Sequence, residues 1–476
     1  MADHDVGDTR FPMRNIEFDY RQGFVNYPGG RSGSAGDKAP YVDHGTRPID
    51  PARYYSREQM QLEWQHCWTK VWTFAGLAQD VPNVGDYLRY NLGRASFLIV
   101  RESPGPTGIS AYHNVCPHRG NRIVHNDFGH TGGCRFTCDF HGWQFGLDGA
   151  NRKIRDELIF RPEVIADRPG LTRVKCEVWN SLIFINPDPD PAQGLIEYLD
   201  VIPRHLAPYD FSKLRVLRDI EYVWDANWKT AFDAFIEFYH ADDVHPEAVP
   251  VMETLECQYD LYPNGISRMI LPMGFVTSRY EDRDTVNESL RLFIQAYGGN
   301  PEDYRHLKGH EYKQAFVAVK RAWGRRHGYA FFDDLTDDQM VDDWSYSTFN
   351  MTLNVFADTV LVQNFRPHPT EPGKSYYSAI TLCLPVSDDV TRVMDVNSFG
   401  PEAFSPPGWK GEERAARFVP KELAEFGYLL AQDARRVPEV QRGIESGYFK
   451  GARLSESECR IRHYNAEIDR LIASAR

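Results

Sequence analysis

NVCPHRGNR at residues 114–122 and CDFHGWQFGLDG at 138–149 decide how this chain folds. Each stretch holds one cysteine and one histidine, Cys116 with His118 and Cys138 with His141, and each has a glycine within two residues of its histidine. Two thiolates and two imidazoles are the ligand set of a Rieske [2Fe–2S] cluster, which puts cysteines on one iron and histidines on the other. Exchanging charged thiolates for neutral imidazoles raises the potential, so the expected role is electron transfer. The same four side chains also satisfy a tetrahedral zinc ion, which is the alternative. Spacing weighs against zinc: Cys-x-His is tight for a zinc pair, whereas His118-Arg119-Gly120 and His141-Gly142-Trp143 supply the loop partners of a cluster cradle. Glycine lets backbone N–H groups approach the sulfurs and tune the potential. Cys134, just before the second stretch, reads as an ordinary thiol on the hairpin leading into it.

A second constellation follows about a hundred residues later. The run ANWKTAFDAFIEFYHA at 226–241 has helix-compatible spacing, with Asp233, Glu237 and His240 at i, i+4 and i+7. One continuous helix would present all three on one face, making Asp233 and Glu237 the candidate catalytic acids. His245, followed by Pro246, can fold back beside His240. Two histidines plus a carboxylate with open positions is the ligand set of non-haem Fe(II) oxygenases. The third ligand is expected to be Asp433, in LLAQDARRVPEVQRGIES at 429–446, from a helix able to return onto the first; Asp242 and Asp243 compete by proximity.

The motifs NVCPHRGNR, CDFHGWQFGLDG, NWKTAFDAFIEFYHADDVH and QDARRVPEVQRGIES resemble those of the catalytic α subunit of Rieske non-haem iron oxygenases, the ring-hydroxylating dioxygenase family, with weaker similarity over most of 50–470. The resemblance implies that Asp433 is the third iron ligand. It implies that Glu237, where many members carry Asp, joins an iron ligand to a cluster histidine of the neighbouring subunit. It also implies a helix-grip catalytic domain and a trimer of α chains, with or without a β subunit. The expected activity is O2-dependent hydroxylation of an aromatic or polycyclic substrate, by cis-dihydroxylation, with monooxygenation or demethylation of a non-aromatic or alkylated substrate as the alternative. A Rieske electron carrier without oxygenase activity is the alternative of another class.

No Gly-x-Gly-x-x-Gly follows an apolar strand run, so NAD(P)H is expected to be oxidised by a separate reductase, through a ferredoxin or directly. Arg119, Arg122, Arg135, Arg152, Lys153 and Arg155 form a basic grouping near the cluster motifs, against a formal net charge of −13. They suit docking of an acidic carrier, or they neutralise carboxylates of their own fold. Net acidity argues against nucleic acid as a partner. The apolar runs are too short to span a bilayer and MADHDVGDTR is no signal sequence, so no membrane association is expected and the cytoplasm is the expected location. Eight scattered cysteines give no disulfide framework.

The fold class is α+β. Residues 1–45 read as an extended arm, free to lie on a neighbouring subunit, and 46–70 as a capped helix (Ser56-x-x-Gln59) packed on the catalytic domain. Residues 71–187 read as a small antiparallel β domain holding the cluster, with strands such as FLIV and SLIFIN. Residues 188–476 read as the mononuclear iron domain, an antiparallel sheet with packed helices and strands MTLNVF, TVLVQNF and SYYSAITLCLP. Within it, 281–345 is charged, with a helix over YKQAFVAVKRAWGRRHGY and an acid-rich tail DDLTDDQMVDDW; lid, peripheral insertion and subunit contact are equal readings. Phe235, Phe238 and the 349–365 strand pair are expected near the iron.

Overall fold

A computed structural model describes residues 35–280, 284–396, 403–411 and 417–474. The expected arm lies outside the described residues for 1–34. Its remainder is bound to its own chain: Ala39 N–H donates to Asp260, and the Arg268 guanidinium to the Asp37 carbonyl.

The first seven-stranded sheet runs in the order Thr73–Leu77, Leu182–Asn186, Arg173–Trp179, Ile109–His113, Ala95–Arg101, Asp86–Leu92, Phe128–His130, with every neighbouring pair antiparallel. Leu182–Asn186 is buried along its whole length because both faces are covered, so its apolar run does not alternate. A three-stranded sheet, Arg135–Thr137, Gln144–Gly146 and Asn151–Lys153, stands beside it. The first cysteine–histidine stretch follows Ile109–His113, and the second is the turn between Arg135–Thr137 and Gln144–Gly146. Sheet geometry therefore brings both to one end.

The second seven-stranded sheet, also antiparallel, runs Arg215–Trp224, Ser375–Cys383, Thr359–Pro367, Met351–Val355, Asp343–Ser347, Ser267–Leu271, Gln258–Leu261. Helices Tyr428–Glu445 and Cys459–Ala473 pack on it. The second buries Ile461, Tyr464, Ile468 and Ile472, the 3–4 spacing of an apolar stripe. The stripe of the first includes Asp433 and Gln441 among its aliphatic residues. Polar groups are placed on a buried face only when something there engages them.

Ser56 caps the helix Arg57–Glu63, its side chain accepting from Gln59 N–H. Glu63 then reaches the catalytic domain, accepting from Lys229 Nζ at 2.7 Å and Trp228 Nε1 at 3.0 Å, all three groups buried. Asn364 Nδ2 donates to the Phe74 carbonyl at 3.3 Å and Arg366 Nη1 to that of Asn91 at 2.8 Å, joining the two sheets.

One sequence expectation is corrected. The run 226–241 is not one helix: it is helical over Trp228–Asp233, turns, and is helical again over Ala241–Val244. Glu237 breaks it by accepting from the backbone N–H groups of Tyr239 and His240, a local bond that competes with the helical ladder. The acid-rich tail of 281–345 enters the sheet at its end. Asp342, Asp343 and Trp344 are buried, and Asp343–Ser347 is a central strand of the sheet. The expected helix is present as Gly309–Arg326, and with Glu288–Ala296 it flanks the cavity described below. Among the described residues no helix is long and apolar enough to cross a membrane.

Candidate metal centres

The two cysteine–histidine loops are built alike. In the first, Gly120 N–H donates to the Cys116 carbonyl at 2.9 Å and Cys116 N–H to that of Asn121 at 2.7 Å. In the second, Gly142 N–H donates to the Cys138 carbonyl at 2.9 Å and Cys138 N–H to that of Trp143 at 2.8 Å. Closing both turns needs left-handed backbone at the glycine, φ +79° at Gly120 and +72° at Gly142, which a side chain would strain. Cys116 and Cys138 are both buried. Burial pushes the Cys116 thiol up to about 11, opposed by backbone N–H groups of His118 and Arg119 and reinforced by Cys138. The imidazoles of His118 and His141 meet at 4.5 Å between centroids, and Trp143 stacks on His118 at 4.9 Å and 7°.

His118 Nδ1 is buried and, among the described residues, has no hydrogen-bond partner. A buried, partnerless nitrogen beside two buried thiols fits a metal cofactor. Cys134 is exposed on the approach to the second loop. Val115 and Phe140 are exposed at the loop tips, with Arg119 lying over the Phe140 ring at 5.3 Å. The six basic residues are all exposed; Arg152 pairs with Asp148 at 2.6 Å and Arg155 with Asp156 at 3.3 Å, so part of the grouping serves its own fold.

The second centre draws on three separate pieces of backbone. His240 precedes the helix Ala241–Val244, His245 follows it, and Asp433 faces inward from the helix Tyr428–Glu445. Their donor atoms lie within 4.8 Å of one another, and among the described residues this is the group able to hold a single ion. Both Nε2 atoms face Asp433 Oδ1, at 3.7 Å for His240 and 3.3 Å for His245. Each ring is aimed by its other nitrogen. Glu237 Oε1 accepts from His240 Nδ1, and Gln432 Oε1 accepts from His245 Nδ1 at 2.7 Å. Gln432 is itself fixed by donating to Glu247 at 2.7 Å. Outer partners of this kind hold an imidazole in the tautomer that presents its free lone pair. Burial alone lowers the His240 imidazole, but Glu237 and then Asp433 raise it, to about 9. A field that favours an extra positive charge here fits a bound cation.

Asp242 and Asp243 do not join this group. Asp242 binds Arg279 Nε and Thr254 Oγ1, each at 2.7 Å, and Asp243 is exposed. Asp233, expected beside Glu237, is turned away by the break in the helix. It accepts from Tyr54 at 2.8 Å and from Tyr464, neither of which lines the cavity. Asp233 lies outside the cavity lining, and its burial carries a pH signature. Burial pushes its carboxyl up to about 7 against the two donated bonds, whereas in an unfolded chain it titrates near ~3.9. The folded state therefore takes up a proton across that interval. The stability Asp233 contributes is complete below about pH 4 and is lost as pH rises through about 7. Asp233→Asn is expected to flatten the fall in unfolding free energy over this range, measured by urea denaturation at successive pH values; equal slopes in the two proteins would assign the fall elsewhere.

The three donors open into a cavity of about 770 Å³. Phe235 and Phe238 line it, as does the strand pair through Asn354, Leu361 and Gln363. Phe293, Tyr297 and Phe316 come from the helical segment 288–326. Lys320 pairs with Asp358 at 2.6 Å, and the Tyr297 hydroxyl donates to the same carboxylate at 2.9 Å.

Sequence comparison matches residues 71–158 to the Rieske [2Fe–2S] domain and residues 211–474 to the ring hydroxylating alpha subunit (catalytic domain). A glycine betaine monooxygenase oxygenase subunit of Pseudomonas aeruginosa is 27% identical over 208 residues, 42% of this chain and 46% of that protein. The biphenyl 2,3-dioxygenase subunit alpha of Rhodococcus jostii is 29% identical over 210 residues, 43% of this chain and 45% of that one. The chain thus spans about half the length of the curated relatives it matches. In fold it is similar to a quaternary ammonium Rieske monooxygenase, with TM-score 0.60, 15% identity and coverage of 89% and 96% of the two chains. It is similar also to a naphthalene 1,2-dioxygenase, with TM-score 0.59, 16% identity and coverage of 93% and 98%. With its catalytic-domain match extending over 211–474, more than half of its length, behind a Rieske domain match at 71–158, this chain belongs to the family of ring-hydroxylating α subunits.

Proposed function

We propose that the chain is the terminal oxygenase component of a multicomponent monooxygenase that hydroxylates or dealkylates an alkylated substrate. Cys116, His118, Cys138 and His141 would hold the [2Fe–2S] cluster, and His240, His245 and Asp433 the mononuclear Fe(II). When bound, the cluster supplies electrons one at a time and the iron, with positions left open by three ligands, activates dioxygen. The observation that carries the reading is the convergence of His240, His245 and Asp433 at the wall of a cavity lined mainly by apolar side chains. Phe235, Phe238 and Leu361 exclude bulk water from that wall and orient the substrate by shape. Electrons come from NAD(P)H through a separate reductase, directly or by way of a ferredoxin, to a cluster end that exposes Arg119, Arg122 and Phe140.

The reading departs from the cis-dihydroxylation of an aromatic ring drawn from the sequence. Glycine betaine, choline and carnitine monooxygenases stand among the matched relatives, which supports the alternative of an alkylated substrate. Dihydroxylation is the second reading, favoured by the aromatic lining of the cavity and by the biphenyl and 2-aminobenzenesulfonate dioxygenases among the same relatives. Turnover under ¹⁸O₂ separates them: one labelled oxygen atom in the product or in released aldehyde is expected, and two in a cis-diol would overturn the proposal.

Glu237 holds the proton of His240 Nδ1 and caps the turn that carries His240. Glu237→Gln is expected to keep both metals and to lower reductase-driven turnover by about 10- to 100-fold. Steady-state and single-turnover rates equal to those of the native protein would remove Glu237 from the electron path.

A further inference from the structure

A polar clasp joins the two cysteine–histidine loops. Asn121 closes the first loop and is half-buried. Its Nδ2 donates across to the second loop, to Asp139 Oδ1 at 2.6 Å and to Cys138 Sγ at 3.6 Å, and locally to the Arg122 carbonyl at 2.9 Å. Two amide hydrogens are thus shared among three acceptors, one of them the sulfur. The acceptors also fix which end of the amide faces them, since an amide oxygen in that place would meet only other oxygens and a sulfur. Asp139 Oδ2 is held in turn by His125 Nε2 at 3.2 Å, from the segment that leaves the first loop.

The first loop is closed without this side chain. Asn114, fully buried, ties its base: Oδ1 accepts from the N–H groups of Ile123 at 2.8 Å and Val124 at 2.9 Å, and Nδ2 donates to the Val124 carbonyl at 2.8 Å. Gly120 and Gly142 close each turn from within. What the Asn121 amide adds is electrical. An N–H donor at a ligand sulfur stabilises the form of an iron–sulfur cluster that carries the extra electron, and so raises its potential. The Asp139 carboxylate acts in the opposite sense, because a nearby negative charge disfavours the added electron. Its side chain is 67% exposed, so water and salt weaken its reach, whereas the amide lies against the sulfur itself.

We propose that Asn121 sets the potential of the electron-transfer centre: its amide, aimed by Asp139, donates to the Cys138 sulfur and holds the cluster at a higher potential than the four ligands alone would give. This rests on the reading of Cys116, His118, Cys138 and His141 as the cluster ligands. Asn121 and Asp139 act through Cys138 and are positioning residues. A higher potential makes the cluster easier to load from the reductase and less forceful toward the mononuclear iron, so this one amide balances the two electron transfers against each other. The backbone N–H groups around the sulfurs come with the turn; the Asn121 donor comes with a side chain and can be removed alone.

Spectroelectrochemical titration of the purified holoprotein, followed in the visible bands of the cluster, tests the assignment. Asn121→Leu, which keeps the bulk and loses the donor, is expected to shift the one-electron equilibrium about three- to tenfold toward the oxidised form, roughly 30 to 60 mV. Asn121→Asp should shift it further the same way, because a negative charge replaces the donor. Asp139→Asn, whose oxygen can still accept from Asn121, should move it the opposite way by a smaller factor. A clasp that only held the loops together would lower the cluster content of the Asn121 variants and leave the potential of the retained cluster at the native value; that result would overturn the proposal, as would a raised potential in Asn121→Asp or a lowered one in Asp139→Asn. If Asn121→Leu retains no cluster, Asn121→Asp, nearly identical in shape, decides. A native protein without a Rieske spectrum would remove the cluster reading itself, and the role of Asn121 with it.

Discussion

Asp433→Ala is expected to purify with its cluster and without its mononuclear iron, and to form product more than a hundredfold more slowly than the native protein. The size follows from the site. Loss of an outer partner of a metal ligand costs about 10- to 100-fold, and Asp433 is the carboxylate that both imidazoles face. Among the described residues, the acids nearest to it in the fold are engaged elsewhere: Asp242 by Arg279 and Thr254, and Glu237 by His240 and its own turn. Iron content, visible spectrum and rate measured on one preparation separate this result from misfolding. Full iron occupancy in the variant would return the third ligand to Asp242 or Asp243.

The second large effect lies at the other centre. Cys116→Ser and His141→Ala are each expected to abolish the cluster's visible and EPR spectra, and with them all reductase-driven turnover. The loop is held by Gly120 and Asn121 backbone bonds that neither change touches, so secondary structure measured by circular dichroism should persist. The buried, partnerless His118 Nδ1 and the buried Cys138 would then have no cofactor to engage them. Retention of the native spectrum in both variants would sink the assignment.

What could be read from the sequence was whatever spacing encodes. Cys-x-His and Cys-x-x-His with flanking glycines prefigure two turns of one design, and β-branched runs such as TVLVQNF reappear as strands of a single sheet. Long-range placement was legible only by resemblance. Nothing in LLAQDARRVPEVQRGIES by itself says that Asp433 returns to within reach of His240, because a helical acid is as often solvated. Periodicity misled at Asp233, since helical spacing cannot anticipate that a side chain three residues before a histidine will cap the next turn. Nothing in the one-dimensional pattern of the acid-rich tail says that it runs into a central strand, where Asp342 is engaged by Lys313 and Asp343 opens the strand Asp343–Ser347. The Glu247–Gln432–His245 chain carried one signal in the sequence, the placement of Gln432 beside Asp433, and only the packed structure gives it a purpose.

Metal and acid-labile sulfide analysis of the anaerobically purified protein, with EPR before and after dithionite, tests the two-centre account most directly. About three irons and two sulfides per chain, with a reduced Rieske signal, are expected. Zinc in place of iron, without sulfide, would contradict the account at both centres.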